Sequence, residues 1–152
     1  ATRCQCGNRG CLEALASGTA IARIARSRST APGSEGSRLA IGDAESITSE
    51  SVFQAARAGD RLALSILEDV IDALSVGLTN GLHMFNPDLV VLGGGVTVGL
   101  TELNFLPRIQ ELMLQGAMSE GHKDFRLVAS RLGDSVGMAG AAAMVWEAVG
   151  GV

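Results

Sequence analysis

The chain has 152 residues, of which 47% are hydrophobic and 18% are charged, and its formal net charge is −4. This length predicts one domain. The sequence has no basic stripe of the kind that binds nucleic acid, and it has no apolar run of the roughly 18 residues that would span a bilayer. We therefore expect neither nucleic acid nor a membrane as a partner of this segment. An odd number of clustered cysteines and the lack of a signal peptide favour a cytoplasmic protein.

The first 13 residues are predicted to form a metal-binding loop. Cys4, Cys6 and Cys11 lie within eight residues, and Gly7 and Gly10 between them let the backbone wrap so that the thiols converge. A tetrahedral zinc takes four ligands of this kind, so the segment supplies three and needs one more. The alternative is three buried thiols without a metal, because cysteine is often buried for packing alone.

Helical spacing predicts most of the remaining structure. Thr48 is a plausible N-cap, and Pro107 is suited to a first helical turn. A serine-rich mobile loop is expected over residues 28–47. The predicted helices span residues 11–16, 19–27, 48–58, 61–85, 107–115 and 136–149.

Two of these helices carry a prediction about packing. The helix from Arg61 to Phe85 is apolar on nearly all sides towards its end, so it is expected to be buried. It also carries His83, whereas His122 falls in a loop, and neither histidine is expected near the cysteines. In the last helix, Gly137 and Gly140 lie on one face and are expected to allow close helix packing.

Two short apolar runs, Leu89–Leu92 and Phe125–Ala129, are predicted strands. The first is typical of a strand covered on both faces in a parallel sheet. Gly93, Gly94 and Gly95 follow it, and glycines at the carboxyl end of a strand let a ligand approach closely. A tight turn without a ligand is an equally good interpretation, and no Lys-Ser or Lys-Thr follows to make a phosphate-binding P-loop.

The order of helices and strands predicts an α/β fold that is mostly helical. Because a sheet usually needs three or more strands to be stable, the chain is expected to be one incomplete domain of a larger protein. Glu13 is a single carboxylate in the first turn of a helix, two residues after Cys11. Its ordinary role there would be that of a solvated acid stabilised by the helix dipole.

The pattern of Cys4, Cys6, Gly7, Gly10, Cys11 and Glu13 resembles the zinc signature of the ROK family (repressors, open reading frames, kinases). The segments 86–95 and 132–142 are similar to later landmarks of that family, in the same order, so the resemblance covers nearly the whole chain. The family contains bacterial sugar kinases, including glucokinases, and sugar-responsive transcriptional repressors.

The resemblance implies an actin-like ATPase fold with two ribonuclease-H-like lobes, of which this chain is part of the C-terminal lobe. Residues 86–152 would form its nucleotide-side α/β part. It implies structural zinc on Cys4, Cys6 and Cys11, with an upstream histidine as the fourth ligand. It also implies that Glu13 accepts a hydrogen bond from the bound sugar and that Gly93, Gly94 and Gly95 form an adenosine-binding turn. The family's phosphate loop and its catalytic aspartate do not occur in the sequence, so no catalytic residue is expected here.

The activity implied is that of an ATP-dependent sugar kinase of the glucokinase type, acting on a hexose or amino-hexose with ATP and Mg²⁺. The 152 residues alone are expected to be inactive, and a homodimer is expected. The alternative is the effector-sensing domain of a sugar-responsive repressor. The triple glycine favours the kinase, because a repressor need not retain a nucleotide turn. A third possibility is a helical domain with a structural zinc knuckle and no ligand.

Overall fold

The computed structural model describes residues 2–150, with the exception of the side chain of Asp134. Over this range the fold is mostly helical, with one small parallel sheet, which confirms the predicted α/β class. In chain order the elements are α1 (Glu13–Ala16), α2 (Gly18–Ser29), α3 (Ser49–Arg57), α4 (Arg61–Phe85), β1 (Leu89–Leu92), α5 (Gly95–Glu102), α6 (Leu106–Gly116), β2 (Arg126–Ala129) and α7 (Val136–Ala148).

The starts of α2, α3 and α4 follow from capping side chains. The Ser17 hydroxyl accepts the backbone N–H of Ala20 at 3.1 Å, which separates α2 from α1 at the predicted interruption. Thr48 caps α3 in a reciprocal pair with Ser51, as expected of a capping box. Helix α3 ends near its predicted boundary, and α4 has the predicted bounds.

Asp60 is the N-cap of α4 and also holds the preceding loop in place. Its carboxylate accepts the backbone N–H groups of Leu62 at 2.9 Å and Ala63 at 3.1 Å. The same carboxylate accepts the Ser37 hydroxyl at 2.9 Å and the backbone N–H of Arg38 at 2.6 Å. Burial by itself raises the pKa of Asp60, but these hydrogen bonds together hold that pKa below its usual range.

The segment between α2 and α3 contains two short 3-10 helices, Arg38–Ala40 and Ala44–Ser46. Helix α2 extends to Ser29, two residues beyond its predicted end, which is within the normal uncertainty of a helix boundary. Leu39 and Ile47 are buried in the core. The mobility expected of residues 28–47 stays a prediction.

Helix α4 is the centre of the core. Ile66, Leu67, Val70 and Ile71 on one face are fully buried. Towards the end of the helix the prediction of burial is wrong, because Met84 and Phe85 are 74% and 75% exposed. Within residues 2–150 the Met84 and Phe85 side chains are left largely uncovered, although Leu82 in the same turn is buried.

Strands β1 and β2 pair in parallel, with Val90 opposite Leu127 and Leu92 opposite Ala129. Val90 and Leu92 pack against the core, whereas Leu89 and Val91 on the other face are 44% and 54% exposed. The predicted coverage of β1 on both faces is therefore wrong for this chain: within residues 2–150 it is covered on one face only.

Two helices differ from the sequence predictions. Helix α5, directly after the glycines, was not predicted, and its buried Gly99 lies against the ring of Phe53 in α3. The close packing predicted for α7 is wrong, because a Cβ atom built on Gly137 or Gly140 would meet nothing within 4 Å. Met144 and Trp146 on that helix are exposed.

None of the helices described here combines the length and the apolar character needed to cross a bilayer.

Candidate metal centre and flanking grooves

A tight backbone loop brings the three cysteines together. The Cys4 N–H donates to the Asn8 carbonyl at 2.8 Å, and the Gly7 N–H donates to the Cys4 carbonyl at 3.0 Å. Gly7 has φ of 90° and Gly10 has φ of 77°. Glycine adopts this left-handed region without the steric cost that a side chain would bring, which explains the two glycines between the cysteines.

The three thiols form one cluster. Cys4, Cys6 and Cys11 place their Sγ atoms within 4.8 Å of one another, and the Cys6 and Cys11 sulfurs are 3.7 Å apart. With Zn–S bonds of about 2.3 Å, the sulfur–sulfur edge of a tetrahedron is about 3.8 Å. The loop geometry and the thiolate chemistry therefore fit a zinc ion held by three sulfurs, with one coordination position left for another ligand.

Hydrogen bonds in this cluster shift the pKa values of Cys6 and Cys11 in opposite directions. A hydrogen bond from the Asn8 backbone, followed by those from the Cys4 and Cys11 thiols, lowers the pKa of Cys6. Hydrogen bonds to Cys6 and Cys4 raise the pKa of Cys11 to about 11. Of these two thiols, Cys6 therefore loses its proton more readily.

The two histidines lie elsewhere, as predicted. The His83 Nε2 atom accepts the backbone N–H of Met118 at 3.2 Å. The His83 and His122 rings meet edge to face, with their centroids 5.3 Å apart. Within residues 2–150, the group of side chains close enough to hold a metal consists of the three cysteines alone.

Glu13 is exposed in the first turn of α1 and faces a groove of about 380 Å³. The groove lies between the cysteine loop and α2. Its polar and charged lining residues are Arg3, Gln5, Glu13, Thr19, Arg23 and Arg26. One carboxylate among cations and hydrogen-bonding side chains is suited to a small polar ligand with several hydroxyl groups.

Two contacts fix the helix that carries Glu13. Arg23 of α2 donates from its guanidinium to the Ala14 carbonyl at 2.8 Å. Leu12 lies over Gly77 of α4, where an added Cβ atom would come within 2.7 Å of the leucine side chain. Because α1 has only four residues, these neighbours and the cysteine loop determine where Glu13 points.

The glycines after β1 line a second groove, of about 210 Å³. Gly93 and Gly94 form part of its wall, and Gly95 is the first residue of α5. Gly94 has φ of 91°, and the Thr97 hydroxyl donates to the Gly93 carbonyl at 3.0 Å. Ser130 and Gly133, which follow β2, form the opposite wall.

Arg23 and Thr97 are among the groove residues that the sequence does not indicate. Nothing in the sequence marks Arg23 as a groove residue, because an arginine on a helix is usually a solvated surface residue. Thr97 lies in a helix that was not predicted. Their roles depend on the approach of distant segments, which spacing along the chain does not show.

The chain belongs to the ROK family, whose family model matches residues 1–148. It is 38% identical over 148 residues to a glucokinase of Thermotoga maritima, covering 97% of this chain and 46% of that protein. It is 29% identical over 142 residues to a xylose repressor of Caldicellulosiruptor bescii, covering 93% of this chain and 35% of that protein.

The fold is also similar to a solved ROK glucokinase from Streptomyces griseus in complex with glucose and AMPPNP. The TM-score is 0.76 at 28% identity, and the match covers 91% of this chain and 45% of that one. The chain thus spans less than half the length of each of these three proteins. The predicted family membership and the expected similarity to part of a ROK sugar kinase are confirmed.

Proposed function

We propose that this chain is the C-terminal part of an ATP-dependent sugar kinase of the glucokinase type. The observation that carries the proposal is the position of Glu13. It lies two residues from a cluster of three thiols and faces a polar groove. The similarity to glucokinases over nearly the whole chain supports the same conclusion.

In this proposal the sugar, a hexose or amino-hexose, binds in the first groove. Glu13 accepts a hydrogen bond from a sugar hydroxyl, and a charged acceptor makes a stronger bond than a neutral one. The contacts of Arg23 with Ala14 and of Leu12 with Gly77 keep the carboxylate in position before the sugar arrives. Such preorganisation lowers the entropic cost of binding.

Zinc on Cys4, Cys6 and Cys11 has a structural role in the proposal. The ion would fix the loop that leads into α1, and a fourth ligand from outside this chain would complete a closed site. The ligand spacing of 3.7 Å between Cys6 and Cys11 supports this assignment. No catalytic step is assigned to zinc.

The second groove is proposed as the adenosine site, with Gly93, Gly94 and Gly95 as the turn beside the nucleotide. It lies beyond the carboxyl ends of β1 and β2, where open α/β sheets bind ligands. Phosphoryl transfer depends mainly on positioning and charge neutralisation, and Mg²⁺ bound with ATP would supply part of the latter. The base that deprotonates the sugar is assigned to the part of the protein outside these 152 residues.

The effector-sensing domain of a sugar-responsive repressor is the second candidate. The match to a xylose repressor over 93% of the chain favours it. Both candidates place sugar beside Glu13, and they differ in whether ATP binds and reacts. In the upstream sequence, an Asp-x-Gly-Gly-Thr motif would indicate the kinase, and a helix-turn-helix would indicate the repressor.

Glu13→Gln in the full-length protein tests the sugar site. Loss of the charged acceptor should weaken sugar binding by about ten- to a hundredfold and leave ATP binding unchanged. Calorimetry with each ligand measures both effects. Glu68→Gln, an exposed change on α4 outside the groove, is the matched control. Unchanged sugar affinity in Glu13→Gln would contradict the assignment and return Glu13 to the role of a solvated first-turn acid.

A homodimer and a cytoplasmic location complete the proposal. Apolar surface is open to water on the sheet at Val91 and on α7 at Met144 and Trp146. Monomers seldom expose large contiguous apolar patches. Cys4, Cys6 and Cys11 are free thiols, which suits a reducing compartment. Sedimentation equilibrium at micromolar concentration is expected to give a dimer, and a clean 15.6 kDa monomer would contradict it.

A further inference from the structure

The exposed end of the cysteine loop places two sulfurs in position to bond to each other. The Cys6 and Cys11 sulfurs are 3.7 Å apart, and Cys6 is exposed while Cys4 is 8% exposed. A disulfide needs the sulfurs at about 2.05 Å, so these two sulfurs, already in contact, must approach further to bond. We propose that, without bound metal, Cys6 and Cys11 are a peroxide-reactive pair that forms an intramolecular disulfide.

The reaction is a two-electron oxidation of the two thiols by a peroxide. The Cys6 thiolate attacks one oxygen of hydrogen peroxide, the O–O bond breaks, and Cys6 becomes a sulfenic acid while hydroxide leaves and takes up a proton as water. The Cys11 sulfur then attacks the Cys6 sulfur, the S–O bond breaks, and a second water leaves. Overall, two thiols and one peroxide give one disulfide and two waters.

Accessibility and geometry determine the order in which Cys6 and Cys11 react. Peroxide reaches the exposed Cys6 first, and the half-buried Cys11 beside it resolves the sulfenic acid. Cys4 lies inside the loop, where its own N–H is bonded to Asn8. The disulfide uses two of the three sulfurs available to zinc, so metal and oxidant compete for the same pair. This inference concerns the thiols alone and is independent of the sugar kinase proposal.

Peptide mapping of this chain provides the test. The reduced chain is freed of metal with a chelator, treated with hydrogen peroxide, alkylated and digested with trypsin, which cuts after Arg3 and Arg9. A Cys6–Cys11 bond joins the two peptides on either side of the Arg9 cut and leaves Cys4 alkylated. A Cys4–Cys11 bond joins the same peptides with Cys6 alkylated, and fragmentation of the joined species in the mass spectrometer separates the two cases.

Two variants and two changes of condition sharpen the result. Cys4→Ser should keep the disulfide, whereas Cys11→Ser should leave a sulfenic acid on Cys6 that dimedone traps. Zinc at about 100 times its dissociation constant should slow the oxidation about 100-fold, since only the metal-free fraction reacts. In concentrated guanidinium chloride the preference for the Cys6–Cys11 pair should disappear.

A disulfide that includes Cys4, a disulfide between two chains, or no disulfide at all would overturn the proposal. The same distribution of pairings in guanidinium as in buffer would also overturn it, because it would show that closeness along the chain, rather than the fold, selects the pair. The wild-type map requires no variant to fold, so it remains decisive if a substitution destabilises the chain.

Discussion

Replacing Gly99 with alanine tests the packing of α5, the helix that lines the second groove. Gly99 lies on α5 against Phe53 of α3, and an added Cβ atom would come within 2.6 Å of two ring atoms and 2.8 Å of a third. Carbon atoms in van der Waals contact are about 3.5–4.0 Å apart. Phe53 is 5% exposed and belongs to the core, so its ring is packed among other core side chains.

Two opposing effects determine how much Gly99→Ala changes the stability of the fold. Alanine is favoured over glycine in a helix interior by about 0.8–1 kcal/mol. Overpacking a filled core costs about 1–3 kcal/mol, and contact with three atoms of a rigid ring places Gly99→Ala at the upper end. The net effect is a destabilisation of about 1–2 kcal/mol. For a chain of this size it corresponds to a fall in melting temperature of about 2–8 °C.

Urea unfolding followed by circular dichroism measures this change. Gly137→Ala is the matched control, because its helix is exposed and a Cβ atom there would meet nothing within 4 Å. The control should be neutral or more stable by up to about 1 kcal/mol. If Gly99→Ala proves as stable as Gly137→Ala, the close approach of α5 to Phe53 is refuted.

The remaining predictions concern Asp60, the metal and the isolated chain. Asp60→Ala should destabilise the chain by about 2–3 kcal/mol, because the substitution removes an N-cap and leaves the buried Ser37 hydroxyl and the part-buried Arg38 N–H without an acceptor. Since the folded pKa of Asp60 is lowered, its contribution to the free energy of unfolding should be fully present above pH about 4. It should fall as the pH drops through the folded pKa. Urea midpoints that shift equally with acid in wild type and variant would argue against this. Cys6→Ser in the full-length protein should release zinc and weaken sugar binding before ATP binding, as metal analysis and calorimetry would show, with Ser65→Ala as a surface control. This 152-residue chain should bind zinc weakly, and a full equivalent retained after dialysis would mean that the chain itself supplies the fourth ligand. The chain alone should not phosphorylate glucose, and turnover above a no-enzyme blank in a coupled assay with ATP and Mg²⁺ would disprove that expectation.

The sequence was most informative where local chemistry decides the structure. Thr48 and Asp60 are capping residues whose effect acts within one turn, so the starts of α3 and α4 were predictable. The cysteine cluster was equally visible, because three thiols separated by glycines over eight residues have to converge. The positive φ angles of Gly7 and Gly10 give this loop its shape.

Prediction from the sequence failed where contacts between distant segments determine the local structure. The first turn of helix α5 contains Val96, Thr97 and Val98, residues with a preference for strands. Packing against Phe53 overrides that preference. The apolar character of β1 predicted coverage on both faces, but a pattern of side chains does not show which covering element is present. Arg23 acts through a carbonyl nine residues away on another helix, which no periodicity indicates.

The central claim is that this chain forms part of a sugar kinase, and phosphoryl transfer by the full-length protein tests it most directly. Incubation with ATP, Mg²⁺ and a panel of hexoses and amino-hexoses, followed by mass spectrometry of the sugars, reports the product without a coupling enzyme. The account predicts one phosphorylated sugar, formed by wild type and much more slowly by Glu13→Gln at low sugar concentration. Sugar binding without any sugar phosphate, together with specific binding to an operator DNA, would contradict the kinase and establish the repressor.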